Sequence, residues 1–461
     1  MGAGAAGLIT ARELRKMGHQ VTVFEQTNSI GGVWSYTDEV EDDILGTDPD
    51  RKKVHGSMYA NLRTNLPREV MGVADFPFDD QFPGSRDFRR YCSHEEVFRY
   101  LVAYAEQYSV NQSIKLNAKV IDLKPLDDGS GSWPKWQVKV SMENAVEKSS
   151  TFDACVICNG HYSKPRVPQW PGQEEFPGIQ MHSHNYRRPE KFKGKRVLVV
   201  GAAFSGSDIS QELLEYGAKA VYLSGRSWED LAKGQMLENS REVLRVNNIE
   251  RLHEDGSVSF IDGTRVDDVD VIMYATGYLY EFPFLSNVPD APSVKDNRVS
   301  VLYKHVFPPR LGPTLSFVGL PWKVVPFPQF QLQAQWIGAC LNGSVQLPCA
   351  DDMTQDALQW YQILDRQGIE TRYTHRMSPD LQAEYNTWLA ETSQVSQAGW
   401  PDWRKELYLV SGMNRRQHGT TFREHDLEQL GAAHAIEQFR QEAKQVRQSL
   451  ISPYTAMSNA S

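Results

Sequence analysis

Lys195-Arg196-Val197-Leu198-Val199-Val200-Gly201-Ala202-Ala203-Phe204-Ser205-Gly206 decides the fold of this chain. Its short apolar run has the composition of a strand buried on both faces, and the segment Ser207 to Tyr216 that follows is apolar at helical spacing. Strand, glycine-rich turn and helix in that order form a cradle. Bare backbone can approach a pyrophosphate there, and the negative charge rests on the free amides and positive dipole end of the helix. A second such turn stands far away, at Gly2-Ala3-Gly4-Ala5-Ala6-Gly7, followed by a helical stretch from Leu8 to Met17, a stop at Gly18 and a strand Val21-Thr22-Val23-Phe24. Glu25 closes that strand 18 residues beyond Gly7, where the dinucleotide fingerprint places a carboxylate to accept hydrogen bonds from a ribose. Two cradles in one polypeptide imply two dinucleotides, one reducing the other.

Only Met1 precedes the first turn, where the fold needs a strand of about five residues at the centre of its sheet. The sequence therefore reads as starting inside its first strand, either because the true start lies upstream or because the innermost strand is missing. A gene-model artefact is the expectation.

The 461 residues suit two to three domains, and 40% hydrophobic, 11% aromatic and 23% charged residues are ordinary for a globular protein. With a net charge of −9 there is no basic field to hold a phosphate backbone, so no nucleic-acid partner is expected. No apolar stretch reaches the roughly 18 residues a membrane helix requires, and no signal peptide opens the chain, so neither a membrane anchor nor secretion is expected and a cytoplasmic location follows. The five cysteines fit a reducing compartment, and no Cys and His cluster has zinc spacing, so no metal is expected. Cys155-Val156-Ile157-Cys158 does spell C-x-x-C, the signature of a redox-active pair, but it lies in a buried strand running into a glycine turn, which favours a structural role.

Arg226 lies 20 residues beyond Gly206, just after the second strand of its unit, where an NAD site prefers a carboxylate. A guanidinium there suits the 2′-phosphate of NADPH. Tyr274-Ala275-Thr276-Gly277-Tyr278 ends another buried strand, either as a plain turn or as main chain covering a linker or a pyrophosphate, and Glu254-Asp255-Gly256 and Ile261-Asp262-Gly263 mark hairpins.

Phe176-Pro177-Gly178-Ile179-Gln180-Met181-His182-Ser183-His184-Asn185-Tyr186 fits F-x-G-x-x-x-H-x-x-x-Y. With Gly31-Gly32-Val33-Trp34, Tyr59 to Pro67, Asp75-Phe76-Pro77-Phe78, the A-T-G segment and Tyr303 to Pro309, it makes the chain resemble the class B flavin-containing monooxygenases over roughly residues 1 to 425. The phrasing is most similar to the soluble plant branch that includes thioether S-oxygenases. The resemblance implies an α/β fold of two Rossmann-like dinucleotide-binding domains, with an FAD domain over 1–160 and 286–461 and an inserted NADPH domain over 161–285. It implies FAD and NADPH as cofactors, O2 as co-substrate, and a C4a-hydroperoxyflavin that oxygenates a small molecule through a soft nucleophilic sulfur or nitrogen, thioether to sulfoxide being favoured. The cofactor carries the hard chemistry in such a scheme, so the protein needs a dry pocket rather than a nucleophile or a metal.

Carried onto this sequence, the resemblance places Asn65 beside the flavin and NADP⁺ as the catalytic amide, a side chain that both donates and accepts. It assigns Gly2, Gly4, Gly7, Glu25, Gly32, Val33 and Trp34 to FAD, and Gly201, Ser205, Gly206, Arg226, Thr276 and Gly277 to NADPH. His182 reads either as a structural hydrogen-bonder or as a proton shuttle. Tyr59, Leu62, Phe327, Phe330 and Gln331 read equally as pocket walls or as plain core. Ala203 departs from the family, which commonly has glycine there, and its methyl would crowd the pyrophosphate. The tail lacks the hydrophobic anchor of mammalian relatives, and Tyr186 stands where Baeyer-Villiger relatives usually carry tryptophan. Two other readings stay open: a two-dinucleotide disulfide reductase using Cys155 and Cys158, and a non-catalytic NADP-binding protein.

Overall fold

The structure is a computed structural model that describes residues 1–126, 133–226, 242–394 and 399–458, with side chains to 450 apart from that of residue 144. The chain divides into two compact units, one of Met1–Ser35, Arg63–Gly160 and Tyr280–Ser461, the other of Tyr36–Leu62 and His161–Leu279. The stretch Tyr36–Leu62 thus joins the second unit, although the sequence reading keeps it in the first.

The second unit is built on a five-stranded parallel sheet in the order Leu244–Val246, Ala220–Ser224, Arg196–Val200, Val271–Tyr274, Ile179–His182. The strand that carries the second glycine turn is therefore central. Val197, Leu198 and Val199 are wholly buried, facing clusters on both sides of the sheet, which explains the continuous apolar run rather than an alternating one. Each such side chain contributes about 1.5–3 kcal/mol on burial. The two hairpin signals form an antiparallel meander of Ile249–Leu252, Val258–Phe260 and Arg265–Val266, with Gly256 and Gly263 at positive φ in its turns.

In the first unit, Val23–Phe24 pairs in parallel with Ile114–Lys115, and Cys155–Ile157 with Leu315–Phe317. The strand before Glu25 is shorter than the alternation suggested. Met1 and Gly2 lie between the two pairs and join them: the Met1 amine donates to Val156 O at 2.8 Å, Cys158 N donates to Met1 O at 2.9 Å and Gly2 N donates to Phe24 O at 2.8 Å. Around this lie the meander Lys119–Leu126, Lys135–Ser141, Glu147–Phe152 and the helices Ala5–Lys16, His94–Gln107, Pro326–Leu341, Ala350–Arg366, Pro379–Thr392, Asp402–His418 and Ala433–Ser458. The last helix runs to Ser458. Among the described residues no helix is long and apolar enough to cross a membrane.

Helix Pro326–Leu341 is buried along nearly its whole length and carries four buried glutamines, each used to fasten neighbouring segments. Gln331 accepts from Ala74 N and donates to Glu13 and Asp75, Gln335 donates to Glu13, Gln333 accepts from Gly319 N and donates to Tyr385, and Gln329 accepts from Gln382. Gln331 and Phe327, offered above as pocket walls, are in fact core: Phe327 stacks on Tyr100 with a centroid separation of 6.1 Å.

Candidate functional site

Both glycine turns have the same construction. A Cβ on Gly2 would stand 2.5 Å from Cys158 O, and one on Gly201 would overlap Ala275 O; both glycines have positive φ. A Cβ on Gly7 would fall on Gly2 O, and one on Gly206 on Gly201 O, because each opening helix is pressed against its own turn. Helices Ala5–Lys16 and Phe204–Glu215 carry no side-chain N-cap and no acidic residue in the first turn. Their leading amides are thus left for an anion, which is the fit a pyrophosphate requires.

Around the first turn the expected FAD residues converge. Glu25, buried, accepts from Ala3 N at 2.7 Å through one oxygen and from Thr27 N and Oγ1 at 2.9 Å through the other. Gly31 N donates to Ala3 O at 2.8 Å, and a Cβ on Gly32 would reach within 2.8 Å of Gly4 Cα, so the turn Gly32–Trp34 packs directly on the cradle. Val33 and Trp34 follow in that turn, with the Trp34 ring set edge-on to Phe327.

Around the second turn, Gly201 N donates to Ser224 O at 2.9 Å, which holds the turn against the strand that leads to Arg226. Arg226 and Ser205 are exposed. Ala203 is exposed in extended backbone at φ −82°, so its methyl costs the chain nothing, and any consequence falls on the ligand. The Thr276 hydroxyl donates to Arg166 O, and Gly277 O accepts from Arg166 N at 2.9 Å. The A-T-G segment therefore spends these groups on its own linker strand, Lys164–Pro165, which pairs with Tyr278–Leu279.

The fingerprint Phe176–Tyr186 works inside the second unit. A Cβ on Gly178 would reach 2.5 Å from Phe176. His182, wholly buried, accepts from His184 N through Nδ1, which leaves Nε2–H to donate to Gly277 O at 3.1 Å. Burial pushes its pKa down to about 3, so it is a neutral structural hydrogen-bonder rather than a proton shuttle. Tyr186 donates to Glu212 at 2.6 Å, and the same carboxyl accepts from Asn61 at 2.6 Å, with burial holding it above the usual carboxylate range. Glu212 lies on the helix behind the second turn, a link no local pattern announces. The stretch Tyr36–Leu62 is held to this unit by His184, which donates to Val54 O at 2.7 Å, and by Asn185, which accepts from Glu41 N at 2.9 Å, while Glu41 pairs with Arg51 inside the stretch at 2.7 Å. Tyr59, also offered as a pocket wall, packs in the core of the same unit, and Leu62, partly buried, packs against that core.

These buried imidazoles have a measurable consequence. His305 is likewise pushed down by burial, to about 4, from an ordinary value of 6.5. Below pH 6.5 the unfolded chain takes up protons that the native rings refuse, so stability is complete above that pH and falls as the pH drops toward 4. The expected slope is about 1.4 kcal/mol per pH unit for each ring. Denaturation midpoints measured across this window should fall with acidification, and His182→Gln should flatten the slope; an unchanged slope contradicts the assignment.

Asn65 stands in the first unit, half-buried, and among the described residues its side-chain amide has no hydrogen-bond partner. Its neighbour Thr64 is buried, and the Thr64 hydroxyl is likewise without a partner. Of the two, only the Thr64 hydroxyl is a buried polar group left unsatisfied; Asn65 keeps an open edge to its surroundings. Phe330, the remaining wall candidate, packs against Gly319, where an added Cβ would lie 2.9 Å from the ring.

Cys155 and Cys158 are free, buried and on opposite sides of their strand, Cys155 among Phe24, Leu123 and Trp136, Cys158 against Leu14 and the Thr10 hydroxyl. Burial pushes the Cys155 thiol up to about 12 and raises that of Cys158, the reverse of an activated pair. Among the described residues no group of three metal-ligating side chains converges.

The model of the flavin-binding monooxygenase-like family matches residues 1–233 and 240–402. The chain is 46% identical over 429 residues to flavin-containing monooxygenase FMO GS-OX-like 4 of Arabidopsis thaliana, covering 92% of each chain, and 43% identical over 409 residues to FMO GS-OX5 of the same plant, covering 88% and 86%. Among solved structures it superimposes on S-allyl-L-cysteine S-oxygenase from Allium sativum with a TM-score of 0.87 and 42% identity, over 95% of this chain and 97% of that one. Tmm from Pelagibacter sp. strain HTCC7211 follows at a TM-score of 0.75 and 27% identity, with 92% of each chain covered. With two uncapped helices behind two bare glycine turns, the chain belongs to the flavin-binding monooxygenase-like family and is an FAD-dependent monooxygenase that draws its electrons from NADPH.

Proposed function

We propose that this enzyme oxygenates the sulfur of a small thioether to a sulfoxide, with amine nitrogen as the secondary class. The observation that carries the reading is the likeness, at 42% identity over 95% of the chain, to a protein described as S-allyl-L-cysteine S-oxygenase. Bound flavin supplies the activation of O2, and NADPH supplies the electrons. The chain's own residues bind and orient. Gly2, Gly4, Gly7 and the helix behind them take the FAD pyrophosphate, Glu25 takes a ribose hydroxyl, and Gly32 to Trp34 back the cradle. Gly201, Ser205 and Gly206 take the NADPH pyrophosphate, and main chain at Thr276 and Gly277 lies on the same unit. Asn65 offers its unpaired amide to the reacting region.

Incubating the full-length holoenzyme with an S-alkyl cysteine, a dialkyl sulfide and a tertiary amine under NADPH and air should give sulfoxide in step with NADPH consumed. Oxygenation of the amine alone would overturn the sulfur assignment.

Arg226 supports the choice of NADPH over NADH. A charge-assisted bond to the 2′-phosphate is worth about 1.5–3 kcal/mol, so Arg226→Ala should reduce the NADPH-to-NADH ratio of kcat/KM by about ten- to a hundredfold. An unchanged ratio removes the assignment. At Ala203 the opposite change is expected: Ala203→Gly leaves the backbone at ease and lowers the Kd for NADPH by about threefold, as relief of one crowded methyl allows. Titration of the reduced nucleotide measures it, and an unaltered Kd shows the methyl to be clear of the ligand.

A further inference from the structure

Asn65 owes its position to contacts made from the far end of the chain. Thr64 N donates to Cys92 O at 2.8 Å, and Thr64 O accepts from Arg423 Nε at 2.9 Å. The second arm of the same guanidinium donates to Arg63 O at 3.4 Å. Peptide groups are planar, so the carbonyl of Thr64 and the amide of Asn65 share one plane, and the carbonyl of Arg63 and the amide of Thr64 share the plane before it. The Arg423 fork spans both. On the other side of Asn65, Pro67 has its φ fixed by its ring at −59° and confines Leu66 to extended backbone, and Arg68 N donates to Arg90 O at 2.9 Å. Asn65 is thus the link between two pinned segments, and of the two pins Arg423 is the one made by a single side chain.

Arg423 is itself prepared for this task. The turn Gly419–Glu424 ends helix Asp402–His418 and drives Phe422 into the core, where its ring meets Tyr91 at 5.1 Å and its carbonyl accepts from Asn414 at 2.8 Å. The guanidinium lies over the Phe422 ring at 4.6 Å, a face that orients it while leaving its N–H edge for the two carbonyls. Tyr91 precedes Cys92, so Phe422 packs against the same segment whose Cys92 carbonyl pins Thr64. Glu424 pairs with Arg63 at 2.5 Å but is largely exposed and adds little. Residue 423 lies outside the stretches 1–233 and 240–402 that the family model matches, so the family pattern assigns it no part.

We propose that Arg423 is a positioning residue of the oxygenation reaction: its fork on the carbonyls of Arg63 and Thr64 sets the peptide plane that carries Asn65, and through it the share of NADPH electrons that reach substrate rather than leave as H2O2. The proposal rests on the reading of Asn65 as the catalytic amide.

The test compares R423A, R423K, N65S and the N65S/R423A double variant as full-length holoenzymes. Three quantities are read: H2O2 released per NADPH, the rate of flavin reduction by NADPH without oxygen, and hydrogen exchange of the 63–66 backbone, the last in FAD-free protein as well. R423A should raise the H2O2 share about tenfold, leave flavin reduction within about twofold and speed exchange at 63–66 in both forms. R423K, whose ammonium reaches one carbonyl but cannot fork, should fall between R423A and the parent. The double variant should release no more H2O2 than N65S alone, since both changes act on one group. If N65S is uncoupled while R423A stays coupled, Arg423 is refuted and Asn65 stands. If N65S itself stays coupled, the reading of Asn65 falls and this inference with it. Should R423A fail to fold, R423K decides, and unchanged exchange and coupling in it refute the proposal.

Discussion

Gly7→Ala should purify as folded protein with little or no flavin, and Gly206→Ala should keep its flavin and lose its hold on NADPH. A methyl at either position lands on the carbonyl of the first glycine of its own turn, Gly2 or Gly201, well inside van der Waals contact. Backbone cannot swing aside as a side-chain end does, so the helix must back away and carry its leading amides with it. In the proposed function those amides take the phosphates, and neither helix has a side-chain cap to take their place. Overpacking of this kind costs about 1–3 kcal/mol or more, and if it falls wholly on the ligand the Kd rises up to about a hundredfold. Flavin absorbance per mole of protein reads the first variant, and NADPH titration reads the second. Retention of both cofactors at parental affinity contradicts the placement of the two cradles.

Asn65→Ser should leave reduction of the flavin by NADPH intact and divert electrons to H2O2. Asn65 is half-buried, its amide lacks a partner among the described residues, and its loop is pinned on either side of it, so the change removes a donor and an acceptor without removing a contact that holds the fold. Serine keeps a hydroxyl but is too short to occupy the same point. Losing one donor aimed at developing charge costs about 2.7–4 kcal/mol in well-studied oxyanion holes, or about a hundred- to a thousandfold in the step concerned. Stopped-flow reduction under nitrogen separates the two half-reactions, and peroxide assay in air reads the leak. A variant that reduces normally and remains tightly coupled removes Asn65 from the mechanism.

The second cradle was legible because strand, turn and helix are contiguous and each has its own period: Val197 to Val199 buried on both faces, Gly201 and Gly206 where no Cβ fits, Phe204 to Glu215 helical. The first was legible from Gly2, Gly4 and Gly7, the helix behind them and the strand that ends at Glu25, although no strand could be read before its turn. What lay hidden depends on long separations. Glu212 is fixed by Tyr186 and Asn61, Thr64 by Arg423, and Tyr36–Leu62 by residues of the fingerprint, and no periodicity encodes such pairings. Phe327 and Gln331 misled because an aromatic and an amide on one helix read equally as pocket or as core. The buried glutamines resolve the matter only when their partners Ala74, Glu13 and Gly319 are seen. Cys155 and Cys158 could be set aside in part from sequence, since residues three apart on a strand face opposite ways.

The most direct test is the fate of electrons and oxygen in the intact enzyme. Reconstituted with FAD and supplied with NADPH, a thioether and labelled O2, it should consume NADPH and O2 in equal amounts and place one labelled oxygen atom in the sulfoxide, with sustained turnover abolished when O2 is withheld. Sustained NADPH oxidation under strict anaerobiosis at the rate seen in air, or a sulfoxide whose oxygen comes from water, would contradict the account.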